Sequence, residues 1–173
     1  MEKFNLKAHI RNIPDFPKPG ILFRDITTLL KDKLAFKIAV DALSNKYKNK
    51  KIDAVVAVEA RGFILGGAVA FKLGAGFVPV RKTGKLPWKT NSVTYCLEYG
   101  TDTLQMHHDA IKPGEKVLIV DDLLATGGTV KAVTDLVKQL QGKIIGIAFL
   151  IELTDLKGKD KLKDYQVFSL IKY

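Results

Sequence analysis

The apolar positions of this chain fall into short runs with two rhythms. Four unbroken apolar residues at 117–120, Val-Leu-Ile-Val, read as a strand buried on both faces of a parallel sheet. The same signal predicts strands at 53–58, 76–81, 144–150 and 167–171. Between them apolar residues recur every three or four positions. A helix is predicted over 34–48, with Leu34, Ile38, Ala42 and Tyr47 facing inward, and another over 63–73, rich in glycine and alanine and so suited to close packing. Val130, Val133, Val137 and Leu140 mark one face of a third helix, which Gly142 should stop. Residues 92–97 and 102–107 suggest a hairpin around Tyr99-Gly100. Pro14, Pro17 and Pro19 each disfavour helix at the preceding residue, so residues 1–30 read as an irregular arm.

Alternating strands and helices point to an α/β fold, doubly wound around a mainly parallel sheet, with 1–173 forming one domain. Ligands of such sheets bind beyond the carboxyl ends of the strands. Three polar clusters directly follow predicted strands: Glu59-Ala60-Arg61-Gly62, Arg81-Lys82 and Asp121-Asp122. They should ring one cleft.

Composition narrows the partners. The 173 residues are 47% apolar and 27% charged, an ordinary globular balance, and no apolar run approaches the ~20 residues of a membrane span. The first residues show no signal-peptide core, and the single cysteine, Cys96, fits a reducing cytoplasm. The net charge of +10 includes lysine clusters at 46–51 and 157–163, which read first as solvated surface. Nucleic acid is not an expected partner, because no aromatic residues interleave the basic ones and no known motif is present, and the lack of a spanning apolar run sets a membrane aside. A polyanionic small substrate would still gain from the positive field.

The candidate chemistry centres on 121–129. Asp121 and Asp122 are adjacent like charges, costly to bury without partners. Ala125, Thr126, Gly127, Gly128 and Thr129 follow, small residues that let backbone N–H groups approach a ligand. A glycine loop opening a helix after a buried strand cradles phosphate, and acids beside it suit sugar hydroxyls. An N-capped connection of no further function is the alternative. Neither Gly-x-Gly-x-x-Gly nor a P-loop is present. Arg61, before a predicted helix, suits a diphosphate, or else is a surface arginine paired with Glu59. Arg81, Lys82 and Lys85 form a second cationic group, either a diphosphate clamp or a solvated cluster. Residues 83–100 carry glycine, proline and polar residues and suggest a flexible lid. His107 and His108, adjacent on a strand, cannot chelate one metal together, and no metal ligands are assigned. Trp88 is expected only to pack.

The run from Val117 to Thr129 resembles the phosphoribosyl-diphosphate (PRPP) loop of the type I phosphoribosyltransferases. The resemblance extends to residues 16–26, 59–63, 81–87, 97–100 and 152–158, and is strongest to members of that family that use adenine. It implies their fold, with an N-terminal hood arm over 1–30, and transfer of the phosphoribosyl group to adenine, giving AMP and pyrophosphate. It assigns Ala125 to Thr129 to the 5′-phosphate, Asp121 and Asp122 to the ribose, and Arg61, Arg81, Lys82 and Lys85 to pyrophosphate. Leu22, Phe23 and Arg24 would hood the adenine, Phe23 by stacking and its neighbours through backbone groups. Glu98, on the lid, would exchange a proton with the purine, and Tyr99 would shape the closed lid. The resemblance also implies Mg²⁺ carried on PRPP, a homodimer, and a non-proline cis peptide between Glu59 and Arg61. The alternatives are guanine, hypoxanthine or xanthine as the base, or a PRPP-binding regulatory protein that keeps the fold but binds nucleic acid.

Overall fold

The structure, a computed structural model, describes residues 4–97 and 100–173. Its strands are β1 (Arg11–Ile13), β2 (Phe23–Asp25), β3 (Ala54–Val58), β4 (Gly76–Lys82), β5 (Thr90–Leu97), β6 (Gly100–His107), β7 (Lys116–Leu124), β8 (Lys143–Glu152) and β9 (Val167–Lys172). The helices are α1 (Thr27–Lys31), α2 (Lys33–Asn45), α3 (Arg61–Leu73) and α4 (Gly128–Gln139). Seven strands form one sheet in the order β5-β6-β4-β3-β7-β8-β9. From β4 to β9 all pairs are parallel, and the β5–β6 hairpin adds two antiparallel strands at the β4 edge. The mainly parallel, doubly wound α/β sheet expected from the apolar runs is therefore present.

Side chains of a strand alternate between faces, so the central strands feed two cores. Val55, Leu118 and Val120 pack with α2 and α3, whereas Val56, Val58 and Ile119 pack with α4 on the other side. All five residues of β3 are buried, as a strand covered on both faces requires. No described helix is long and apolar enough to cross a membrane.

Several elements differ from expectation. The arm contains a two-stranded antiparallel ribbon, β1 with β2, and its prolines occupy the connection, where the Phe16–Pro17 peptide is cis. In α2 the inward face is Ala35, Ala39, Val40 and Leu43, while Leu34 is 49% exposed. Asp32 caps this helix through the Leu34 and Ala35 N–H groups, setting its start one residue earlier. Small Ala35 and Ala39 let the helix lie close, and the bulkier Ile38 sits at the side. The stop of α4 is Gln141, the residue in the left-handed conformation (φ 60°). Gly142 is needed for space: a Cβ there would stand 2.9 Å from both Ile111 and Val137. The expected hairpin strands are present as β5 and β6, each starting two residues earlier than expected, so among the described residues the irregular part of the expected lid is 83–89.

Candidate active site

α3 leads from β3 to β4 on one face of the sheet, and α4 leads from β7 to β8 on the other. The chain thus diverges between β3 and β7, and a crevice opens at their carboxyl ends. The parallel pairing brings Glu59, Arg61, Arg81, Asp121 and Asp122 to that edge, as the three polar clusters required.

The strand carrying the acids runs further than its apolar core. Pairing with β8 continues through Asp121↔Phe149 and Leu123↔Ile151 to Leu124↔Glu152, so both acids lie within β7. Both are buried, at 8% and 7% exposure. Burial, then the charge of Asp122, pushes the Asp121 carboxyl well above the usual carboxylate range. Burial also raises Asp122, against the opposing pull of Arg61. Arg61 Nη2 lies 2.8 Å from Asp122 Oδ2, and the Asp122 N–H donates to Asp121 Oδ1 at 2.9 Å. Arg61 therefore pairs with Asp122, not Glu59. Its Nη1 is buried with no hydrogen-bond partner among the described residues. A cationic donor so placed is ready for an anion. The Glu59–Ala60 peptide just before α3 is cis, within the interval expected. Gly62 clears the acids: a Cβ there would stand 2.6 Å from Asp121 Oδ1.

Beyond Leu124 the chain turns through Ala125, Thr126 and Gly127, which is left-handed at φ 79°, and enters α4 at Gly128. Among the described residues no side chain caps this helix, so the first-turn N–H groups and the positive end of the dipole face outward. They line a pocket of about 90 Å³ with Asp121, Leu123, Leu124 and Ala125 to Val130. Gly158, in the segment after β8, backs the loop. A Cβ on Gly158 would strike the Ala125 carbonyl, and one on Gly127 would strike the Gly158 carbonyl. Thr129 Oγ1 stands 3.4 Å from the Tyr95 hydroxyl on β5.

The second cationic group is held by Glu59. Its Oε2 accepts from Arg81 Nη2 at 2.8 Å and Nε at 3.1 Å, and its Oε1 accepts the Lys82 N–H at 2.7 Å. Burial alone would raise the Glu59 pKa, but the Lys82 N–H and the Arg81 guanidinium outweigh it and the net shift is downward. Arg81 Nη1 also donates to the Lys85 carbonyl at 3.0 Å, tying the 83–89 loop to the edge. Lys82 Nζ turns to Asp102 on β6 at 2.9 Å, and the Lys85 side chain is exposed. Each arginine is thus held by its own carboxylate, Arg61 by Asp122 and Arg81 by Glu59, and both lysines add their charge near Glu59.

The ribbon covers the crevice from above. The Arg61 guanidinium carbon lies 5.0 Å from the centre of the Phe23 ring, which Phe16 also meets edge-on. Leu22 is 46% exposed, and the Arg24 side chain faces Asn12 and Tyr173. Glu98 and Tyr99 lie outside the described residues. Trp88 packs on His108 at 5.0 Å, edge to face, and near His107. Among the described residues no group of three or more His, Cys, Asp or Glu side chains could hold a metal ion. Sequence reasoning missed Glu59 as the anchor of Arg81, Gly62 as clearance for Asp121, and Gly158 as backing for the loop. All three stand in motifs already singled out, so the signal was present without its geometry.

Comparison with known proteins gives this geometry a family. The phosphoribosyl transferase domain matches residues 26–173. The adenine phosphoribosyltransferase of Clostridium kluyveri is 60% identical over 169 residues, 98% of each chain, and that of Acidobacterium capsulatum is 59% identical over 97% of this chain and 93% of its own. The crystal structure of adenine phosphoribosyltransferase from Thermoanaerobacter pseudethanolicus superposes with a TM-score of 0.94 at 54% identity, covering 97% of this chain and 98% of that one. The Saccharomyces cerevisiae enzyme, solved with an imino-altritol bisphosphate and adenine, gives 0.90 at 42% identity, covering 95% and 96%. With its acid pair, its glycine loop and its two anchored arginines at one sheet edge, the chain belongs to the phosphoribosyltransferase family, among the adenine phosphoribosyltransferases.

Proposed function

We propose that this chain transfers the 5-phosphoribosyl group of PRPP to adenine, releasing AMP and pyrophosphate. The observation that carries the site assignment is the buried Asp121–Asp122 pair opening directly onto the uncapped N-terminus of α4. Backbone N–H groups of Ala125 to Thr129 and the helix dipole hold the 5′-phosphate. Asp121 and Asp122 accept hydrogen bonds from the ribose hydroxyls, which replace the lost solvent. Arg61 and Arg81 face the diphosphate, with Lys85 closing from the loop and Lys82 adding its charge to the field.

Adenine N9 attacks C1 of the sugar with inversion as the C1–O bond to the diphosphate breaks. The electron pair leaves with pyrophosphate, and the N9 proton passes to Glu98. Arginines already held by carboxylates stabilise the departing charge without reorganising. Phe23 stacks on the base, while backbone groups of Leu22 and Arg24 address its edge; a carbonyl-bearing purine would leave such groups unpaired. Tyr99 and the 83–100 lid exclude water from the oxocarbenium-like sugar. Mg²⁺ would arrive on PRPP, held by substrate oxygens beside the acid pair, where it neutralises part of the diphosphate charge. A donor set of two neighbouring acids fits that arrangement better than a fixed protein site.

The homodimer proposed with this activity would pack through the outer face of α3, where Ile64 and Phe71 are 47% and 90% exposed, and β4 adds Phe77. A cytoplasmic location is proposed with it, in keeping with the lone Cys96. The deciding experiment incubates the protein with PRPP, Mg²⁺ and each purine. AMP formation with little IMP, GMP or XMP is expected. Preference for a 6-oxopurine, or PRPP binding without turnover, would reject the assignment.

A further inference from the structure

Successive residues of a strand face opposite ways, and β2 uses this alternation. Phe23 turns toward Arg61 and the crevice, so Arg24 turns away from it. The Arg24 guanidinium carbon lies 3.8 Å from the centre of the Tyr173 ring, and Nη1 donates to Asn12 Oδ1. Its Nε is buried with no hydrogen-bond partner among the described residues. The face of the tyrosine ring is what meets the buried side of this cation. Lys7 Nζ approaches the same ring, at 4.4 Å.

Tyr173 is itself firmly held. Its N–H donates to the Glu152 carbonyl at 2.9 Å, and its own carbonyl accepts from the Thr154 N–H at 2.9 Å and the Thr154 hydroxyl at 2.5 Å. The backbone that carries the ring is therefore fixed to the end of β8 and to the segment whose Gly158 backs the phosphate loop. The ribbon needs such an anchor. Its two strands have three residues each, and an isolated two-stranded ribbon is marginal in water.

We propose that Tyr173 is a positioning residue for the base site: by clamping the outward side chain of Arg24 it holds β2 so that Leu22, Phe23 and the Arg24 backbone meet adenine. The proposal rests on the adenine-transfer function above. Removing the ring frees the ribbon and weakens adenine binding, while the phosphate loop and acid pair, carried by β7 and α4, keep their geometry.

The test is steady-state kinetics with each substrate varied in turn, on wild type, Tyr173→Leu, Tyr173→Phe and Arg24→Met. A cation–ring contact of this kind translates into a rise of about 5- to 10-fold in the KM for adenine in Tyr173→Leu. The KM for PRPP should stay within about twofold, since that substrate meets other elements. Tyr173→Phe, which keeps the ring, should match wild type. Arg24→Met, which leaves the tyrosine's own hydrogen bonds intact, should reproduce the selective rise, and the double variant should add nothing to it. An unchanged adenine KM in both Tyr173→Leu and Arg24→Met, or equal rises for both substrates, would overturn the clamp while leaving the activity assigned. A wild type that makes no AMP would remove the function and the clamp together.

Discussion

Replacing Gly158 by alanine tests the phosphate loop without touching a residue that meets substrate. The new Cβ would strike the carbonyl oxygen of Ala125 and stand 3.0 Å from Leu124 Cδ1. A side chain could swing aside, but a backbone carbonyl cannot, so the 125–127 turn must retreat by ~1 Å to restore an ordinary contact. Overpacking of this kind costs ~1–3 kcal/mol of stability. The kinetic effect should be larger, because the atoms that retreat carry the N–H donors for the 5′-phosphate. A displacement of ~1 Å can cost about 100-fold in rate. We expect kcat/KM for PRPP to fall by about 10- to 100-fold, with the adenine KM within about twofold, in initial-rate assays of AMP formation. Thermal unfolding of the same variant should show a lowered midpoint. A Gly158→Ala protein with wild-type PRPP kinetics would refute the idea that this close approach shapes the loop.

Three further variants probe the charges. Asp121→Asn keeps an oxygen for the Asp122 N–H but removes a carboxyl whose pKa is raised first by burial and then by Asp122. A raised carboxyl destabilises the fold increasingly as pH climbs through that pKa, so the variant should melt higher than wild type at pH 8, with the gap closing toward pH 4. Its kcat/KM for PRPP should fall together with that gain, and a lower melting point at pH 8 would contradict the desolvation account. Glu59→Gln should weaken pyrophosphate product inhibition about 3- to 10-fold by loosening Arg81, at a stability cost of no more than about 1 kcal/mol. Because the Glu59 pKa is lowered, that cost should be full above the ordinary value of 4.5, shrink below it and vanish once pH has fallen through the lowered pKa. Tyr47, whose hydroxyl burial pushes up to about 12, stabilises the fold fully below pH 10 and loses that contribution as pH rises toward 12. Tyr47→Phe should therefore be near neutral at pH 7 and remove up to about 2 kcal/mol of the alkaline loss, read from melting curves beside a phenolate absorbance titration.

The parallel core was legible because short continuous apolar runs bounded by polar turns have few other uses in a globular chain. Val117 to Val120 and Ala54 to Val58 are strands covered on both faces, as their composition demands. Motif order then placed Arg61, Arg81, Asp121 and Asp122 at one edge. What escaped the sequence depends on partners far along the chain. The extension of β7 through both acids follows from continued pairing with β8, which no local apolar count reports. Glu59 meets Arg81 because Val58 stands opposite Val80 in the β3–β4 register. The inward face of α2 went to alanines, since hydrophobicity alone favours Leu34 whereas close packing favours small residues. Gly158 and Tyr173 act across chain separations that sequence spacing cannot express.

The turn at Ala125 to Thr129 is expected to grip a sugar phosphate whose hydroxyls meet Asp121 and Asp122. A crystal structure grown with AMP tests it most directly. The phosphate should lie at the N-terminus of α4, within hydrogen-bonding reach of the loop N–H groups, with both ribose hydroxyls on the acid pair and the base beneath Phe23. A nucleotide bound with its phosphate anywhere else on the molecule would contradict it.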